Sequence, residues 1–303
     1  MRQTEQWRCT GLRWQDGGPA WTWSHPEHGD RESPIRLGEP MALAVGPEAR
    51  RRCLGVRRSG RLTPCPDSAT VPAQARRDQC EVCAALDRSR SVAADTQLDD
   101  PRPYAVYLAW FGPGLCKVGI TGTARGPARL LEQAAVCFTF LGRGPLMAAR
   151  RAESVLGGAL GIPDRVSTPA KRAARLALPG VEDRAAEVRA LYEAAASVPE
   201  WTETLNPDPY ELVDHAELFG LEPDPPRPTG LVTELAPGTG VGGVLRAVAG
   251  TDLYLEQGSG EGLLLLDAKL ASGWVLGRAA PGEPATAPVR ALEQPAAPPQ
   301  TLF

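Results

Sequence analysis

The segment from Tyr104 to Thr121 constrains the fold of this chain more than any other. Tyr104-Ala-Val-Tyr-Leu-Ala-Trp-Phe111 is aromatic and branched, Gly112-Pro-Gly114 is turn chemistry, and Leu115-Cys-Lys-Val-Gly-Ile-Thr121 runs back. The expectation is an antiparallel hairpin. Residues of equal parity on a strand share a face, so Tyr107 and one parity of the return strand look into the same groove. Gly126-Pro127 then offers an N-cap and a starting proline for a helix through Ala134. Arg129 falls in its first turn, where backbone N–H groups favour an anion.

A second helix is expected from Pro145 to Leu160. Leu146, Ala149, Leu156 and Leu160 form one apolar stripe at a hundred degrees per residue, with Glu153 in the middle of it. A buried carboxylate without a partner is too costly to keep, so Glu153 needs an arginine, a metal ion or a raised pKa. A structural ion pair with Arg129 satisfies that demand as well as chemistry does. The 33 basic side chains include only three lysines, Lys117, Lys171 and Lys269. Against that background the amine at Lys117 stands out, either as a selected group or as a strand residue whose stem lies on apolar surface.

At these residues the sequence resembles the GIY-YIG nuclease superfamily. Ala105-Val106-Tyr107 and Lys117-Val118-Gly119 stand in place of its two signature tripeptides, in the order hairpin, helix, strand, helix. More closely, Val106-Tyr107-Leu108-Ala109, Lys117-Val118-Gly119-Ile120-Thr121 and Arg129-Leu-Leu-Glu-Gln-Ala134 resemble a bacterial family catalogued as domain of unknown function 2797. The resemblance implies that Tyr107 orients or deprotonates an attacking water, Arg129 steadies the scissile phosphate, and Glu153 holds a divalent ion, Mg2+ or Mn2+. It also implies that Gly119, Thr121 and Arg125 line the substrate. Lys117 replaces the second tyrosine of many members, where an ammonium neutralises a phosphate or lowers a neighbouring phenol's pKa. The interval from Lys117 to Arg129 is longer than in the best-known nucleases, so Arg125 competes for the arginine role. The late asparagine of many nucleases has no match, because Asn206 is far downstream.

A second constellation is made of cysteine. Cys80-Glu-Val-Cys83 is a C-x2-C knuckle preceded by Cys53 and Cys65, and four thiolates close a tetrahedral zinc site. Isolated reduced thiols and a disulfide framework are the competing readings. His25 and His28 are substitute ligands or an exposed pair in a polar turn. Cys9, Cys116 and Cys137 sit in apolar runs and read as small core residues. Residues 50 to 90 carry Arg50, Arg51, Arg52, Arg57, Arg58, Arg61, Arg76, Arg77, Arg88 and Arg90 against four acids, in a chain of net charge −3. Such a patch tracks a phosphate backbone or forms a solvated face.

The whole reads as an α+β protein: a central GIY-YIG-like β-hairpin/α/β/α module flanked by small antiparallel β units, with a Cys-rich zinc-binding insert. The expected divisions are a Trp-rich N-terminal β unit (1–49), the Arg/Cys-rich segment (50–98), the hairpin module with trailing helices over Pro169–Val198 (99–200), a Pro-rich linker (201–228), a C-terminal β unit (229–278) and a disordered Ala/Pro tail (279–303). The two β units share a rough layout, Gly11-Leu-Arg-Trp against Gly243-Val-Leu-Arg, which suggests distant copies. Tryptophans 7, 14, 21 and 23 read as core or sheet-face residues rather than stacking platforms. Gly238–Gly243 lacks the partners of a nucleotide-binding fingerprint. No apolar run reaches a membrane span and no signal-peptide core is present, so a cytoplasmic protein with no membrane partner is expected. Two functions follow: a metal-dependent nuclease cutting DNA or RNA, or an inactive nucleic-acid-binding or regulatory protein with a zinc-stabilised module. A non-nuclease enzyme acting on a small molecule in the same pocket is a third.

Overall fold

The computed structural model describes residues 7–15, 18–58, 61–88, 100–163, 165–199, 201, 205–258, 262–277 and 285–293. The chain opens with a three-stranded antiparallel meander of β1 (Arg8–Gln15), β2 (Gly18–His25) and β3 (Gly29–Pro34). Asp16 and Gly17 of the expected turn lie outside the described residues, but β1 and β2 pair on either side of it. Trp14, Trp21 and Trp23 are buried, as core tryptophans should be. Next comes β4 (Pro40–Val45), followed by a two-stranded ribbon, β5 (Val56–Arg58) and β6 (Arg61–Thr63), and by α1 (Glu81–Arg88).

The central module begins with β7 (Tyr104–Gly112) and β8 (Leu115–Gly122), paired in antiparallel register with Tyr107 opposite Gly119 and Ala109 opposite Lys117. A single helical turn, α2 (Ala128–Glu132), leads into β9 (Cys137–Gly144), which pairs with the other side of β7. Pro127 caps α2 rather than starting it, and the helix ends at Glu132 because Ala134 turns left-handed at φ 59°. It is shorter than the expected helix through Ala134. Strand β7 is buried along its whole length because both faces are covered. Tyr107, Ala109 and Phe111 pack with Leu130, Ala135 and Phe138, while Val106, Leu108 and Trp110 share the main core with α3 (Leu146–Ala159).

Helix α3 buries Leu146, Ala149, Ala152 and Leu156. Ala152 occupies the stripe, and Glu153 is half-buried at its margin rather than central. The trailing helical stretch is two helices, α4 (Thr168–Ala174) and α5 (Val181–Ala196), broken at Pro179-Gly180. Ser167 caps α4, its side chain accepting from the Ala170 N–H.

The expected linker over 201–228 is partly sheet. Its strands β10 (Asn206–Pro207) and β11 (Val213–Asp214) both pair with β9 and extend the central sheet. The rest of the chain forms β12 (Gly230–Val232), β13 (Gly240–Ala249), β14 (Asp252–Glu256), β15 (Leu263–Asp267), β16 (Leu276–Gly277) and β17 (Val289–Ala291). These join β4 in a seven-stranded sheet of order β16-β4-β13-β14-β15-β12-β17, mixed because β12 and β15 run parallel.

Three expectations are corrected here. The N-terminal unit does not close at residue 49, because β4 satisfies the open edge of β13. Nor is the tail from 279 wholly unstructured: β17 completes the sheet on β12, while residues 278–284 and 294–303 lie outside the described residues. A three-stranded meander and a seven-stranded mixed sheet are not copies of one unit, although β1 and β13 each carry a bulge.

Buried ion pairs fix the helices to the sheets. Asp252 on β14 is 3% exposed and takes both Arg172 of α4 and Arg175 at that helix's C-cap. Arg184 of α5, 1% exposed, takes Asp214 at 2.6 Å and also Glu222. Such pairs anchor geometry, since losing either partner strands a charge in apolar surroundings. The fold is a mixed α+β arrangement of several antiparallel sheets around one large core. No helix among the described residues is long and apolar enough to cross a membrane.

Candidate functional site

Tyr107 sits at the centre of the hairpin face, 1% exposed. Its ring lies flat against Gly119: a Cβ at 119 would come 2.4 Å from Tyr107 Oη and 2.5 Å from Cζ. Glycine is required there for space, not for conformation, because Gly119 has no positive φ. The phenol oxygen accepts a 2.8 Å hydrogen bond from Gln133 Nε2. Burial raises the phenol's pKa; Gln133 and Arg129 oppose that shift and Glu153 adds to it. Arg129 and Glu153 therefore both lie within electrostatic reach of the Tyr107 hydroxyl.

Arg129 is partly exposed and stands 4.0 Å from Glu132, three residues on. Arg125 pairs with the same Glu132 from the short 3-10 turn Thr123–Arg125. The two competing arginines are thus tied to one carboxylate, and Arg129 is among the main influences on the phenol. Lys117 and Thr121 share the Gly119 face by strand parity. Thr121 is 5% exposed, and its hydroxyl has no hydrogen-bond partner among the described residues.

Two groups at this face were not assigned to the site from sequence. Gln133 holds the phenol, and Lys171 of α4 donates from Nζ to the Gln133 carbonyl at 2.9 Å. Gln133 lies four residues after Arg129, so both reach the same neighbour by helical spacing. The scarcity of lysine was the one available signal for Lys171.

The cysteine module is a separate centre. The Sγ atoms of Cys53, Cys65, Cys80 and Cys83 all lie within 4.8 Å of one another. All seven cysteines are free, which removes the disulfide reading. Backbone N–H groups of Gly55 and Cys80 donate to Cys53 Sγ at 3.3 and 3.1 Å. Those of Ala69 and Asp67 do the same for Cys65 and hold its thiol below the ordinary range. Four sulfurs in one cluster, with amides aimed at them, are a donor set fit for a tetrahedral metal ion such as zinc. Gly55 makes the loop possible: at φ 91° its Cβ position is 1.9 Å from the Thr63 carbonyl. His25 is not a ligand, since its Nδ1 accepts from the Glu27 and His28 amides and closes a turn. Cys9, Cys116 and Cys137 are buried core residues, the first two with thiols pushed up to about 12 by burial.

Three of the ten arginines in the Arg-rich segment are held by backbone carbonyls. Arg51 is 1% exposed and donates to the carbonyls of Pro72, Ala73, Ala75, Lys269 and Ser272. Arg52 binds the Ser68 carbonyl and Arg57 that of Thr10. Arg50, Arg76 and Arg77 remain exposed, while the side chains of Arg58, Arg61 and Arg88, and all of Arg90, lie outside the described residues. A cleft of about 830 Å³ between the Gly220–Thr229 loop and the seven-stranded sheet is lined by Glu222, Arg227, Arg246 and Glu256, and by none of the candidate residues.

Fold and sites together define an α+β protein that couples a four-cysteine metal-type module to a hairpin-centred cluster of tyrosine, arginine and carboxylate. Residues 47–276 match the model of the family described as Protein of unknown function (DUF2797), and the chain belongs to that family. The matched span takes in the four clustered cysteines, the central sheet and most of the C-terminal sheet. Neither the curated proteins nor the solved structures yielded a match.

Proposed function

We propose that this protein is a GIY-YIG-like, metal-dependent phosphodiesterase acting on DNA or RNA, with Tyr107, Lys117, Arg129 and Glu153 at its centre. The observation that carries the reading is the phenol of Tyr107, seated on Gly119 and subject to the charges of both Arg129 and Glu153. Because burial keeps that phenol protonated and Gln133 occupies its oxygen as a donor, Tyr107 acts by giving its proton to a hydrogen bond. It orients water rather than deprotonating it. Arg129 meets the scissile phosphate with its fork of donors, and Lys117 adds a point charge. Gly119, Thr121 and Arg125 line the path of the substrate. Glu153 is a half-buried oxygen donor suited to Mg2+ or Mn2+, which when bound supplies charge stabilisation to the phosphoryl oxygens.

A second reading, an inactive nucleic-acid-binding or regulatory protein braced by zinc, draws on the 1% exposure of Tyr107. A cleavage assay on plasmid, branched DNA and structured RNA with magnesium or manganese separates the two. Under the nuclease reading, Tyr107→Phe and Glu153→Ala each fall by about a hundredfold or more, the usual weight of one positioned group. Equal background activity in wild type and both variants would leave only the binding protein.

A further inference from the structure

Helix α4 and its C-cap present three basic residues in two directions. Arg172 and Arg175 turn to Asp252 on β14, with Asp267 a further 3.5 Å partner for Arg172. Lys171 turns the other way, onto the hairpin face. Its Nζ lies 3.7 Å from the centroid of the Phe111 ring and donates to the Gln133 carbonyl. No carboxylate pairs with it among the described residues. Cations weigh on the amine from several elements: Lys117 of β8, Arg129 of α2, Arg175 at the C-cap of α4, and Lys269 of the 3-10 turn Ala268–Leu270 all act to lower its pKa. Geometry places two of them beside it: Lys117 stands opposite Ala109 on the face that Phe111 shares, and Arg129 lies one turn before the Gln133 whose carbonyl Lys171 holds. Like charges gathered at a half-buried amine raise the local potential and favour an anion.

We propose that Lys171 is the core of an anion-binding site at the junction of α2, α4 and β8, taking a phosphoryl group together with Lys117 and Arg129. It rests on the phosphodiesterase reading for the identity of the substrate, which brings one phosphate to Tyr107 and another to Lys171. The Gln133 residue links the two, its side chain on the phenol and its carbonyl on the ammonium. Burial and the surrounding cations lower the Lys171 pKa to about 8, so the site holds its charge at neutral pH and loses it just above.

With only three lysines, reductive methylation of the full-length chain with 13C-formaldehyde gives one NMR signal per lysine plus that of the N-terminal amine. Lys171→Arg assigns its signal by deletion. The Lys171 signal is expected to titrate near 8 and to move on adding inorganic phosphate. It should move again with a short 5′-phosphorylated oligonucleotide, without divalent ions. Unmodified Lys171→Met should bind phosphate about tenfold or more weakly, the weight of one charge-assisted hydrogen bond, while Lys171→Arg retains binding above pH 8. A Lys171 signal indifferent to both probes overturns the site, even should Lys171→Met fail to fold. Wild type that shifts with phosphate yet never cuts would sink the nuclease reading and leave this site standing; an active enzyme with a silent Lys171 would do the reverse.

Discussion

Replacing Gly119 by alanine places a methyl carbon 2.4 Å from Tyr107 Oη and 2.5 Å from Cζ, where an ordinary carbon contact needs about 3.5 Å or more. The backbone at 119 is not left-handed, so the whole cost arises from the collision and not from strain in φ. The ring has no easy retreat: it is 1% exposed, tethered to Gln133, and packed among Ala109, Phe111, Leu130 and Phe138. Overpacking of this kind costs about 1–3 kcal/mol. Tyr107→Ala alone leaves a cavity worth about 3–5 kcal/mol, by analogy with other large-to-small aromatic changes. Combined, the alanine methyl at 119 enters that cavity, so the double variant should be more stable than the sum of its parts by about 1 kcal/mol or more. Urea denaturation of the four proteins, followed by tryptophan fluorescence, measures the cycle. Additive effects, or a Gly119→Ala protein within about 0.5 kcal/mol of wild type, would refute the claim that glycine is there to seat the tyrosine.

Elemental analysis of the purified chain should find about one zinc per molecule, because four thiolates close one tetrahedral site. Replacing Cys80 and Cys83 with serine should release it, and a metal-free but folded wild type would show the cluster to be plain thiols. Asp252 has its carboxyl held below the ordinary range by Arg175 and Arg172, against the opposing effect of burial. A depressed folded-state pKa contributes stability that is present above the unfolded value, about 3.9, and is lost as pH falls through the folded one. Stability should therefore drop below about pH 4, and Asp252→Asn should be weaker at pH 7 but flatter across that acid range. Equal acid slopes in the two proteins would count against the arrangement.

The hairpin, the second helix and the cysteine cluster were legible because each is written in local spacing. The turn at Gly112-Pro-Gly114 and the runs on either side of it fix β7 and β8 without any distant partner. The four cysteines were legible from one knuckle and two outliers, although which amides would point at them was not. What escaped is pairing at long range. Strand β4 has an unremarkable sequence, Pro-Met-Ala-Leu-Ala-Val, and nothing in it names β13 as its neighbour. Arg51 looked like one of ten cations of a phosphate-tracking patch or a solvated face, because carbonyl oxygens, its true partners, leave no trace in a sequence. Gln133 and Lys171 escaped for the same reason: one matters through an amide reaching a phenol, the other through an amine resting on a backbone oxygen. Glu153 was read one step too deep, since Ala152, small enough to let α3 approach the sheet, takes the buried position.

The pairing of β4 with β13 sets an order on synthesis. Pro40 stands opposite Val244, about 200 positions later, so a ribosome has made most of the chain before that early strand finds its mate. Arg51 waits similarly for Lys269 and Ser272 to emerge. Until then the nascent N-terminal part carries an uncovered β edge and a cation facing only three of its five carbonyls, a situation that invites chaperone capture. Fragments cut before β13 should accordingly be insoluble even though they contain the whole hairpin.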